Sequence, residues 1–135
     1  FALRGLAVLG ALDGPILARA AGFLRSSLQR GAAPVDFFSL LYSCLIVQAA
    51  GGEDVLSASP PGWDERVAAT LASFRTKDGG YAKMPGGPSG STYTTFLIAL
   101  CHEVLGRSLP DPEAARAFIL SRRREDGGFV EIAQM

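Results

Sequence analysis

The stretches RTKDGGY (residues 75–81) and RREDGGF (residues 123–129) spell Asp-Gly-Gly-aromatic twice, 48 residues apart. Each follows a run whose apolar residues recur at helical spacing. A chain that leaves one helix and must start another beside it needs a tight reversal. Gly79-Gly80 and Gly127-Gly128 can adopt positive φ at little cost, and the Asp before each pair can accept from the turn's amides. Tyr81 and Phe129 are then expected to fold back as apolar plugs between neighbouring hairpins. The repeated spelling records a repeated corner.

A second set of matches runs through the other helix of each unit. DFFSLLYSCLIVQAAG ends at Gly51, and STYTTFLIALCHEVLG ends at Gly106. Stepping one period back from the Asp78 and Asp126 corners lands near Gly31, in the segment FLRSSLQRGAAPVDFF. The chain therefore reads as a tandem of helical hairpins. The expected helices are 2–12, 15–29, 36–50, 64–76, 92–106 and 112–124, with a further turn after 130. Pro15, Pro34 and Pro112 stand at or before helix starts. Asp36, Asp64, Thr92 and Asp111 are candidate N-caps, with Gly51 and Gly106 as stops. Trp63 is expected to staple the loop ahead of Asp64, the alternative being a contact with a partner.

Apolar residues surround the helices at 36–50 and 92–106 on nearly every side, which predicts an inner, buried layer. The helices at 64–76 and 112–124 carry Glu65, Arg66, Arg75, Glu113, Arg116 and Arg122, as an outer layer would. No segment alternates convincingly enough for a strand.

The chain has 135 residues, one domain's worth. Thirteen basic residues balance thirteen acidic ones, so the electrostatic footprint of a nucleic-acid binder is missing. The run Arg122-Arg123-Arg124 reads as a solvated helix end. No run of roughly 20 apolar residues suggests a transmembrane helix. Phe rather than Met stands first, and the sequence is expected to be a piece of a longer chain beginning inside a helix. Cys44 and Cys101 sit in apolar runs and read as reduced core thiols, which points to the cytoplasm. His102 follows Cys101 directly, and adjacent helical residues point about 100° apart, so packing accounts for it better than metal binding.

The pattern DGGY or DGGF after an outer helix, then KMPGGPSGS, then TYTTFLIALCHEVLG, resembles the prenyltransferase and squalene-cyclase repeat. The resemblance covers residues from about 15 onward. It implies an all-α fold of tandem hairpins forming part, about half, of an α/α toroid. Residues 1–135 would be a single partial domain with hairpins at 1–29, 36–76 and 92–124 and a truncated following turn. Protein prenyltransferases, in this resemblance, hold zinc with an Asp-x-Cys pair and a His from the next inner helix. Those positions fall on Asp36, Phe38 and Thr94, so one ligand of three is present. Of two upstream basic positions, Arg30 matches and Ala33 does not. The cyclase acid motif has no counterpart.

The resemblance thus implies a prenyltransferase-like protein binding an isoprenoid diphosphate or other apolar chain, with its zinc site incomplete in this segment. Zinc would require ligands from sequence outside it, and no other cofactor is expected. Arg30 is the diphosphate candidate. Phe37, Phe38, Tyr42, Tyr93 and Phe96 are candidates for an apolar lining whose aromatic faces could favour cationic character. Whether such a protein catalyses is left open. The alternative is a non-catalytic subunit docking on another protein, or on the remainder of a toroid, through its apolar helical surface.

Overall fold

The computed structural model describes residues 1–133. They form six helices: α1 (Ala2–Val8), α2 (Gly14–Leu28), α3 (Pro34–Ala49), α4 (Trp63–Ala72), α5 (Thr92–Leu105) and α6 (Pro112–Ser121). The only β-type pairings among them are isolated bridges at the two corners and at Ser91. The fold is all-α. The turn expected after residue 130 falls partly on residues 134 and 135, outside the described residues, and 130–133 form no helix.

Local chemistry sets the helix ends. Asp13 caps α2, accepting from the Ile16 amide at 2.9 Å, and Asp111 caps α6 through the Ala114 amide at 3.2 Å. Three of the expected caps are corrected. Ser91 rather than Thr92 caps α5, accepting from the Thr94 amide. Pro34 opens α3, which places Asp36 inside the first turn, where its charge suits the helix dipole. Asp64 likewise lies in the first turn of α4, whose cap is Gly62 at φ 80°. Trp63 is the first residue of α4 and packs half-buried against the core.

α1, α3 and α5 end alike. Gly10, Gly51 and Gly106 all have positive φ, and the next amide reaches back to Leu6, Val47 or His102 at 2.8–3.0 Å. This bond satisfies a carbonyl the helix end would otherwise leave open, and only glycine takes the left-handed turn cheaply. Sequence reasoning found two of these ends. The third, at Gly10, gives a common register for all three helices.

α3 is central, packed against α1, α2 and α5, while α4 packs on α5. The core joins Leu17, Ala21, Leu24 and Leu28 of α2 to Phe37, Leu41, Cys44 and Val47 of α3. It continues into Val67 and Leu71 of α4 and Ile98 and Cys101 of α5. Each stripe recurs every three or four residues, as one buried helix face does. α3 and α5 are not covered all round, however. Val35, Tyr42, Leu45, Tyr93 and Phe96 remain exposed, because each helix has neighbours on part of its circumference only.

The two corners share one backbone design. The Thr76 amide bonds the Gly80 carbonyl at 3.0 Å, and the Arg124 amide bonds that of Gly128 at 2.7 Å. Gly79 and Gly127 take φ of 89° and 87°, and Asp78 and Asp126 accept from the amides two residues on. Their surroundings differ. Tyr81 is 1% exposed, a plug as expected, whereas Phe129 is 50% exposed because none of the described helices lies over it. α6 crosses the first corner so closely that a Cβ on Gly80 or Gly90 would lie 2.6–2.7 Å from the Phe118 ring. The glycines there are required by packing as well as by turning.

Candidate functional site: an aromatic hollow beside α3

Val35, Phe38, Tyr42 and Ile46 occupy one stripe of α3, away from the Phe37/Leu41/Cys44 core stripe. With Phe1, which precedes α1, Arg4 of α1 and Tyr93 at the start of α5, they line a cavity of about 310 Å³. The Phe38 and Tyr42 rings stack with centroids 5.7 Å apart and planes 18° from parallel. The Arg4 guanidinium lies 5.8 Å from the Tyr42 centroid, within cation–π range. Sequence reasoning missed Arg4, because nothing in the linear order signals that α1 lies across α3.

A second cavity of about 720 Å³ runs between α2 and α3. Arg19, Phe23 and Arg30 line it from the α2 side, Asp36 and Leu40 from α3, and Leu3 from α1. Ser39 and Ser43 border both cavities, so the two meet along α3 on either side of α1. Ser39 donates its hydroxyl to the Val35 carbonyl at 2.8 Å, which leaves it a helix-bonded hydroxyl and no evident nucleophile. A smaller extension of about 240 Å³ shares Val35 and Tyr93 with the hollow and brings in Lys83, Ala33 and Thr94.

The structure therefore sorts the expected lining residues. Phe38, Tyr42 and Tyr93 come together in the hollow. Phe37 does not join them: it is 2% exposed on the opposite stripe of α3, within the core. Phe96 lies on the far side of α5, where it lines a separate groove against α6. Arg30 and Asp36 share the adjoining α2/α3 cavity.

The three positions compared with a zinc site do not converge on one cavity. Asp36 faces the α2/α3 groove, Phe38 the hollow, and Thr94 the small extension by Lys83. Among the described residues, no three His, Cys, Asp or Glu side chains gather to hold a metal ion. Cys44 and Cys101 are free and buried, and burial pushes each thiol up to about 12. His102 is 3% exposed, with neither ring nitrogen bonded to the protein.

One further correction concerns Arg122. It is 5% exposed, not a solvated helix end: its guanidinium lies over the Phe118 ring at 4.4 Å and donates to Asp78 at 3.0 Å. Among the described residues, no helix is long and apolar enough to cross a membrane. No protein-family model matches the chain, and neither a curated protein nor a solved structure does.

Proposed function

We propose that the chain is a prenyltransferase-like segment of an α/α toroid that binds an isoprenoid, or another apolar chain, along α3. The observation that carries this reading is the stacked Phe38–Tyr42 pair, with Tyr93 and Arg4, in a hollow bordering a longer groove that holds Arg30. The two cavities fall at or above the lower end of the usual small-molecule range, roughly 300–1,000 Å³. Aromatic faces suit an unsaturated hydrocarbon, and Arg30 or Arg4 would answer a diphosphate by charge-assisted hydrogen bonds. Asp36 alone does not make a catalytic zinc site. The segment is therefore read as binding the chain without itself supplying metal-assisted transfer. Two free buried thiols support a reducing compartment, the cytoplasm.

Titration with a fluorescent farnesyl diphosphate analogue tests the reading. Saturable binding that Phe38→Asp abolishes is the expected result. Absence of saturable binding to the wild-type chain overturns it.

A second reading, a non-catalytic subunit docking through its helical surface, draws on a different observation. Val8, Leu9, Phe96 and Phe129 are large apolar side chains at least half exposed. Exposed apolar surface of this kind commonly marks an interface.

A further inference from the structure

Each Asp-Gly-Gly corner sends its next residues past the start of the inner helix that precedes it, and the two corners do so with opposite charges. Lys83 and Glu131 hold the same place, five residues after Asp78 and Asp126. Glu131 lies across the start of α5 as a strap. The Tyr93 amide donates to its carboxylate at 2.9 Å, and the Ser91 hydroxyl donates to the other carboxylate oxygen. The Glu131 carbonyl accepts from the Thr92 amide at 3.0 Å, and the Thr92 hydroxyl donates to the Val130 carbonyl at 2.7 Å. A carboxylate therefore meets the second amide of α5, where the end of a helix favours negative charge.

Lys83 meets the start of α3, where the strap cannot be tied in the same way. Pro34 is the first residue of α3 as Thr92 is of α5, and it has no N–H to donate. Ala33 stands at the cap where α5 has Ser91, and it has no hydroxyl. A cavity of about 240 Å³ opens there, its walls all drawn from residues 33–97: Ala33, Pro34, Val35 and Leu97, with Lys83 and Tyr93 beside them. The Val35 amide is second in α3, as that of Tyr93 is in α5, and it has no acceptor among the described residues. Lys83 has no ion-pair partner among them either. Asp36 belongs to the same first turn but lines the groove toward α2 and not this cavity.

We propose that this cavity binds a small monocarboxylate, its anionic end on the Val35 amide and the Lys83 ammonium and its apolar body against Pro34 and Leu97. Where the repeat carries Glu131, the chain supplies the carboxylate itself. Where it carries Lys83, the side chain has the charge that complements a carboxylate from outside, and the amide that would receive it is open. A cavity of this size, below the roughly 300 Å³ at which drug-sized sites begin, sets the body at about a single ring or a short alkyl chain. The inference does not rest on the isoprenoid reading, since such a ligand needs neither a diphosphate nor a long chain.

Benzoate titrated into the whole chain, followed through its backbone amide NMR signals, tests the proposal. Saturable binding is expected, with the Val35 amide among the most strongly shifted. Benzyl alcohol, which keeps the ring and lacks the charge, should bind about tenfold more weakly. Lys83→Ala should weaken benzoate by about the same factor, the loss of one charge-assisted contact. Lys83→Glu, which restores the charge found at residue 131, should abolish binding. Lys83 is exposed, so neither variant disturbs the core. Shifts that do not saturate, or that leave Val35 in place, would overturn the proposal. So would benzyl alcohol binding as well as benzoate, or Lys83→Ala or Lys83→Glu binding benzoate as the wild type does.

Discussion

Arg122, at the end of α6, donates to Asp78 at 3.0 Å and thereby ties the second corner of the chain to the first. Asp78 also accepts from the Thr76 hydroxyl at 2.5 Å and from the Gly90 amide at 3.0 Å, so one carboxylate joins three segments. Asp126, its counterpart one repeat on, bonds the Gly128 amide and Arg124 within its own turn. The same letter in the repeat therefore does two different jobs.

Asp78→Ala should lower stability by about 2–4 kcal/mol, because it leaves the nearly buried Arg122 charge without its partner. Asp126→Ala removes an exposed, local contact and should cost less than half as much. Urea denaturation of both variants decides the matter, and equal losses would refute the distinction.

The same carboxylate gives a pH dependence. Burial raises the Asp78 pKa, but the Thr76 hydroxyl, the Gly90 and Gly80 amides and Arg122 together outweigh it and hold the carboxyl below its ordinary value. A depressed carboxylate contributes stability that is complete above its unfolded pKa, about 3.9. That contribution is lost as pH falls through the lower folded value. The stability difference between wild type and Asp78→Asn should therefore narrow below pH about 4, and a difference that stays constant would contradict the assignment.

Gly80→Ala places a methyl 2.6 Å from the Phe118 ring, which must move or tilt α6. A loss of about 1–3 kcal/mol is expected, the usual range for overpacking. Gly128→Ala meets only the flexible Asp126 carboxylate at 3.1 Å and should be milder. Combining Gly80→Ala with Phe118→Leu should recover part of the loss, a coupling that a double-mutant cycle reads directly. Strict additivity would mean that Phe118 does not set the requirement.

These corners also show what was legible in the sequence. The Asp-Gly-Gly spelling, the prolines at helix starts and the glycines at helix stops all act within a few residues, so six helices could be read from the linear order. Asp36 and Asp64 were harder to place. An acidic residue is favoured both as a cap and in the first turn, and the backbone alone distinguishes the two positions. Arg122 reads as a surface cation because it opens a run of three arginines offset by Glu125 and Asp126. Only the distant Asp78 and the Phe118 ring make its burial tolerable. The hollow was half legible for a similar reason. Phe38 and Tyr42 share a helix face at a spacing of four, whereas Phe37 and Phe96 have the same composition but face other neighbours. Arg4 and Lys83 reach the cavities through tertiary placement that no local pattern carries.

His102 provides a second titration. Burial, with the nearby Arg107 charge, lowers its pKa from the ordinary 6.5. Between the folded and unfolded values the unfolded chain binds more protons, so stability rises with pH through that window and falls on acidification below about 6.5. His102→Leu keeps the site filled and removes the titrating group. Its urea midpoint should change less between pH 7 and pH 5 than that of the wild type. Parallel profiles would show that His102 protonates freely in the folded chain.

The arrangement of the two cavities predicts a separation of roles between Arg30 and Tyr42. If the groove with Arg30 takes the charged end of a ligand and the hollow takes its hydrocarbon, the two residues should answer differently to farnesyl diphosphate and farnesol. Arg30→Ala should weaken the diphosphate about tenfold, the loss of one charge-assisted contact worth about 1.4 kcal/mol, and leave farnesol nearly unchanged. Tyr42→Ala removes a stacked ring from the hollow and should weaken both ligands by similar factors. Arg4, which lies over Tyr42, supplies the control: if the diphosphate instead sits in the hollow, Arg4→Ala and not Arg30→Ala will be selective. Competition titrations on the three variants separate these outcomes. Equal effects of Arg30→Ala on both ligands would remove the groove from the binding path.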